Sequence, residues 1–178
     1  STAMQPNYGQ ERKRKAEVIN PPNILKAKAG HGGLSDAVLD KAQTLIEEND
    51  VDFVPIAQVH LDKLHDLIKQ TKERLKETAF IQDEELINEL IGPAMQLKAN
   101  GGMFHYPLIT NISDRMVQFL EVIEGLDTDI VSLMEGFTGS IKAVTIGKIK
   151  GNGGKTGREL IKELDLACNR YFEKNDQQ

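Results

Sequence analysis

The sequence predicts an all-α protein, a bundle of five or six amphipathic helices behind a basic N-terminal arm. Two observations carry that prediction. From Leu34 onward, apolar residues recur three and four apart, the spacing of one buried helix face. Between the periodic segments stand short stretches rich in stop and start residues: Asn49-Asp50, Gly125 ahead of Asp127, Pro107, and the glycine-rich run from Gly151 to Gly157.

Residues 1–33 read as the arm, and residues 34–178 as one helical domain. Ser1-Thr2-Ala3 ahead of Met4 reads as an expression scar, outside fold reasoning. Arg12-Lys13-Arg14-Lys15 is a basic cluster, and Asn20-Pro21-Pro22-Asn23 forbids regular helix. A basic arm on an acidic body suggests contact with nucleic acid or an anionic membrane. The cluster is short and lacks interleaved aromatics, so a solvated tail is expected and no nucleic-acid partner.

The first helix is expected from Ser35, a good N-cap, with Val38, Ala42, Leu45 and Ile46 facing inward and Asn49-Asp50 ending it. The second runs from about Phe53 to Lys76, with Pro55 in its first turn and a stripe of Val54, Ala57, Leu61, Leu64, Ile68 and Leu75. His60 and His65 lie beside that stripe, five apart, and so do not share a face as a metal pair would. The third starts near Asp83, buries Leu86, Ile87, Leu90, Ala94 and Leu97, and carries Pro93, which should kink it. A turn is expected at Asn100–Tyr106, from the paired Gly101 and Gly102 and the helix-starting Pro107. The fourth helix places Leu108, Ile112, Met116, Phe119 and Ile123 on one face, with Gly125 as its stop. The fifth opens at Asp127 and carries Ile130, Leu133, Met134, Phe137, Ile141 and Val144; Gly136 and Gly139 within it suggest close helix approach. The sixth, from about Gly157, buries Cys168 on a stripe with Leu160, Ile161, Leu164, Ala167 and Tyr171.

The single cysteine excludes an internal disulfide. No apolar run approaches the length of a membrane span and no signal peptide is visible, so a soluble cytoplasmic protein is expected. The Gly151–Gly157 run fails the phosphate-loop spacing, since the first glycine of that motif would fall on Ile149. His31 between glycines has no second ligand at metal spacing. No Ser-His-Asp, zinc or paired-carboxylate pattern stands out, so neither cofactor nor metal is expected, and no enzyme.

The stretch from Ala94 to Leu108 is the most informative. At about 100° per residue, Met95 falls roughly 120° from the centre of the buried face of its helix. Ile91, Gly92, Lys98 and Ala99 surround it, which suggests an apolar docking patch with one cation at its edge. Ala94, Leu97, Lys98, Gly101, Gly102 and Phe104 match the signature of histidine-phosphotransfer (Hpt) domains, and the helix pattern of residues 34–150 is similar to theirs. Three positions depart from it. Met95 stands where the family has its phosphorylated histidine, Ala99 stands for the glycine after the lysine, and His105 for the glycine after Phe104.

The resemblance implies an antiparallel four-helix bundle of Hpt type with one or two added helices. It implies a place in a two-component phosphorelay, docked to a response-regulator receiver domain or a histidine kinase through Ile91, Gly92, Met95, Gln96, Lys98, Ala99 and Gly102. A thioether has no nitrogen to take up a phosphoryl group, so the chain is expected to bind without transferring. The rival expectations are an active phosphotransfer protein using His105, and a helical adaptor outside two-component signalling. A helix running unbroken through residue 101 would count against the family. The oligomeric state is not read from the sequence.

Overall fold

The computed structural model describes residues 35–48 and 52–176. The chain is all-α over these residues, with six helices: α1 Asp36–Glu48, α2 Phe53–Arg74, α3 Glu84–Met103, α4 Pro107–Val122, α5 Thr128–Ile146 and α6 Gly154–Asp176. The expected arm at 1–33, and the expected stop at Asn49-Asp50, lie outside the described residues. No helix among them is long and apolar enough to cross a membrane.

The helix starts follow from short polar side chains that accept the free amides of a first turn. Asp52 accepts from Val54 N at 3.0 Å, Asp83 from Leu86 N at 3.0 Å and Asp127 from Ile130 N at 2.8 Å. Ser35 does the same for α1, more weakly, at 3.4 Å. Pro107 opens α4, where its missing amide costs nothing. The Arg74 guanidinium, 2.8 Å from Asp83, and then the Leu86 amide hold that carboxyl below its ordinary range.

Helices α2 to α5 each pack on two of the others: α3 on α2 and α4, and α5 on α4 and α2. Cross-links show the directions. Lys98 pairs with Asp114 while Gly101 meets Thr110, so α3 and α4 run antiparallel. The core between them holds Leu64, Ile87, Leu90, Leu97, Ile109, Ile112, Met116, Phe119, Ile130 and Phe137, all essentially without solvent contact. A two-residue bridge between Ile81 and Leu126, bonded both ways at 2.8 Å, ties together the connections on either side of α3–α4.

α6 lies over α4 and α5 and buries Leu164 and Cys168. Tyr171 and Phe172 pack on Phe119, with ring centres 5.6 and 5.3 Å away. The Tyr171 hydroxyl donates to Asp127 at 2.9 Å. Burial, then that carboxylate, pushes the phenol far above its usual range, so it remains a donor. Arg115 grips Asp165 at 3.0 Å; burial raises the Asp165 carboxyl and the guanidinium opposes the rise.

Four expectations are corrected. Val38 and Leu45 of α1 were expected to face inward, but they are 46% and 59% exposed, because no other described helix packs on α1. The turn does not begin at Asn100: α3 continues through Gly101 and Gly102 to Met103. Gly125 is no helix stop, since α4 ends at Val122; a side chain there would collide with Phe80 and lie 2.6 Å from the Ile81 carbonyl. Gly136 and Gly139 make no close helix approach, since nothing lies within 4 Å of a Cβ at either.

Candidate functional site

The motif residues lie along α3 and the turn into α4. The turn is short and heavily fastened. Tyr106 N donates to Gly101 O at 2.7 Å and Phe104 N to Asn100 O at 3.1 Å. Phe53, the first residue of α2, stacks on both Phe104 and Tyr106, with centres 5.3 and 5.0 Å apart. Burial, and then the Asp52 carboxylate, raises the Tyr106 phenol.

His105 makes the reversal. Its φ is 66°, a left-handed conformation that histidine tolerates better than bulky or branched residues. Its carbonyl accepts from Gly151 N at 3.1 Å, and Leu108 N returns a bond to Gly151 O at 3.3 Å. The α3–α4 turn is thereby laced to the loop before α6. His105 is half-buried, and stands on the turn rather than on the helical face that carries Met95 and Lys98. The other described histidines sit on α2. His60 is half-buried, and burial and then Lys63 lower its pKa; His65 is exposed.

On α3, the structure brings most of the expected patch together and removes one member. Gly92, Met95, Gln96, Lys98 and Ala99 are half-buried, and Gly102 is exposed. Ile91 is only 5% exposed and belongs to the core. It cannot meet a partner: it stands about 40° beyond Ile87, at the edge of the inward stripe, and is covered there. Met95 is no free-standing apolar side chain either: it packs against the edge of the core. Gly92 has no other element within 4 Å of a Cβ. Its local reason is Pro93, whose ring crowds the Cβ of any preceding helical residue. α3 runs on through Pro93, with that residue buried.

Lys98 is the best-anchored residue of the group. Its carbonyl accepts from Thr110 Oγ1 at 2.8 Å. Its ammonium lies 2.8 Å from Asp114 Oδ1, and Asp114 Oδ2 accepts from Gln118 Nε2 at 2.7 Å. The sequence pattern placed Lys98 beside Met95 but gave no sign of Asp114 and Gln118. They become its neighbours only through the α3–α4 pairing, and their spacing of four along α4 was the one available signal.

Elsewhere, an open groove of about 650 Å³ runs between α2 and α5, lined among others by His65, Lys69, Lys72, Glu135 and Lys142. Three of its charges are paired: Lys72 with Glu135 at 3.5 Å, and Glu73 with Lys76 at 2.9 Å. Among the described residues, no group of three or more His, Cys, Asp or Glu is placed to hold a metal. No known family model, characterised protein or solved structure matches the chain.

Proposed function

We propose that the chain is a protein-docking module of Hpt-like architecture. It binds a receiver domain or histidine kinase of a two-component system through the α3/α4 face, and does not accept phosphate at residue 95. One observation carries this reading. On α3, Met95 is half-exposed, with Lys98 one turn on and Gly92, Ala99 and Gly102 leaving the surface around it low; the resemblance would put a phospho-acceptor at this residue. A partner can approach such a surface closely. The ring of four packed helices supports the bundle that the resemblance implies. The unbroken helix through residue 101 weighs against the resemblance as first drawn, and the reading rests on the face rather than on the turn.

Chemistry supports docking over transfer. Met95 has no nucleophilic nitrogen, and the only nearby lysine on that helix is neutralised by Asp114.

The test is a binding screen of the intact chain against isolated receiver domains and kinase dimerisation domains, with Met95→Asp alongside. An unpaired charge in a desolvated contact should weaken any true complex by about 2 kcal/mol or more. Incubation with acetyl phosphate or a phosphorylated receiver should leave no acid-labile phosphate. Phosphate lost on His105→Gln would show an active transfer protein instead. Failure to bind any receiver or kinase domain would leave a helical adaptor of another kind.

A further inference from the structure

From Gly136 to Arg158 the chain carries five cations and no carboxylate side chain, although acidic residues outnumber basic ones over the whole sequence. Lys142 stands near the end of α5, Lys148 and Lys150 follow it, and Lys155 and Arg158 lie in the first turns of α6. All five are exposed. Among the described residues, only Lys155 of the five has an ion-pair partner, Glu159 at 3.9 Å. Two aliphatic side chains stand in the same stretch: Ile146 is 62% exposed and Ile149 42%.

Backbone bonds hold the segment in shape. Gly147 caps α5, Lys148 N donates to Thr145 O at 3.1 Å, and Ile149 N donates to Val144 O at 3.1 Å. These paired bonds close a helix when the residue after the cap turns left-handed. That residue is Lys148, with φ 50°. Glycine is the common occupant of such a position, because a Cβ is disfavoured there. Farther on, Gly151 exchanges backbone bonds with His105 and Leu108, which fixes the other side of the segment.

We propose that this α5–α6 segment is a contact for an anionic membrane surface. Ile146 and Ile149 enter the boundary between headgroups and acyl chains, and Lys142, Lys148, Lys150 and Arg158 meet the negative headgroups. The two residue types together select this partner. At an anionic interface the aliphatic atoms leave water while the ammonium groups stay at headgroup level. A nucleic acid would engage the cations and leave both isoleucines in water. Its bases stack on aromatic rings, and the only aromatic of the stretch, Phe137, is wholly buried. The contact is peripheral, requires no pocket, and is independent of the α3/α4 face.

The experiment uses the intact chain. It is sedimented with vesicles of phosphatidylcholine alone and with vesicles carrying about a third phosphatidylserine, at low and at high salt. Binding is expected to the anionic vesicles only, and should weaken as salt rises. Each lysine at such a surface contributes about fivefold in affinity, so Lys148→Gly with Lys150→Gln should weaken binding about 25-fold. Glycine suits the backbone at 148, so this double variant should melt no lower than wild type, and its lost binding cannot be put down to unfolding. Ile146→Ser with Ile149→Ser should weaken binding by at least about tenfold.

The basic arm is a second source of attraction to the same vesicles. A variant with Arg12, Lys13, Arg14 and Lys15 all changed to Gln therefore runs in parallel, and it should still bind. Binding lost in the arm variant but unchanged in both segment variants overturns the proposal, as does a wild-type chain that ignores anionic vesicles. A single-stranded oligonucleotide bound through Lys148 and Lys150, with no loss on changing the isoleucines and no vesicle binding, would make the segment a nucleic-acid contact and overturn the membrane assignment.

Discussion

Gly101 and Gly102 are neighbours on one helix, and the structure uses them in opposite ways. A Cβ at Gly101 would lie 2.8 Å from Thr110 Oγ1 and 3.0 Å from both Thr110 N and the Tyr106 carbonyl. Two of those obstacles are backbone and cannot step aside. At Gly102 the nearest atom would be Thr110 Oγ1 at 3.6 Å, an ordinary contact, and the residue faces solvent. One glycine permits α3 and α4 to meet; the other only keeps the surface low. In sequence the pair reads as a turn, because two glycines weaken a helix and commonly end one. In three dimensions the close approach at Gly101 is compatible with a continuous helix, and the reversal falls to His105 three residues after Gly102.

The largest effect that could break this comparison is expected at the buried glycine. Gly101→Ala gains helix propensity of about 1 kcal/mol but forces α4 away from α3. A net loss of about 2 kcal/mol is expected, or about 4–8 °C in Tm for a chain of this size. Chemical denaturation gives the free energy directly. A variant as stable as wild type would mean that the helices are spaced more widely than these contacts imply, and the two glycines would then be equivalent.

The same contrast explains what was and was not legible beforehand. The buried stripes of α3, α4 and α5 were readable because the helical repeat alone assigns Leu86, Ile87, Leu90, Ala94 and Leu97, or Ile130, Phe137 and Ile141, to one side. The starts at Asp83, Pro107 and Asp127 were readable because capping is local chemistry. What failed depended on neighbours that no periodicity names. Ile91 sits at the edge of its stripe, and whether an edge residue is covered is decided by the adjoining helix. Val38 and Leu45 form a good stripe with nothing described upon it. The site was legible as a run of residues on α3, while the Asp114–Gln118 half of it, sixteen or more residues beyond Lys98, was not.

Met95 sharpens the comparison between the packed and the open side of α3, because it lies between them. A fully exposed residue tolerates Asp with a change within about 0.5 kcal/mol, and a core residue loses several. Met95 touches the core edge yet keeps part of its surface in water. Met95→Asp should therefore cost about 1 kcal/mol, or about 2–4 °C in Tm. A loss above about 3 kcal/mol would make it a core residue and remove the centre of the proposed docking face. The melt should precede any binding measurement on this variant, so that weakened binding is not mistaken for unfolding.

The smallest expected effect has the opposite sign. Gly102→Ala restricts the unfolded chain and adds a methyl group to an exposed position that has room for it. Gly102 sits in the last turn of α3, where fraying reduces the benefit, so a gain of about 0.5 kcal/mol is expected rather than the full value of about 1 kcal/mol for a helix interior. Stability should rise while the α3/α4 face becomes slightly higher. If the face docks a partner closely at this point, Gly102→Ala will be a more stable protein that binds less well, and Gly102→Leu should exaggerate the loss of binding without unfolding the chain. If both variants bind as wild type does, the contact is centred nearer Met95 and Gly92. If Gly102→Ala is instead destabilised by 1 kcal/mol or more, the open side of α3 is not open there, and the distinction between the two glycines disappears.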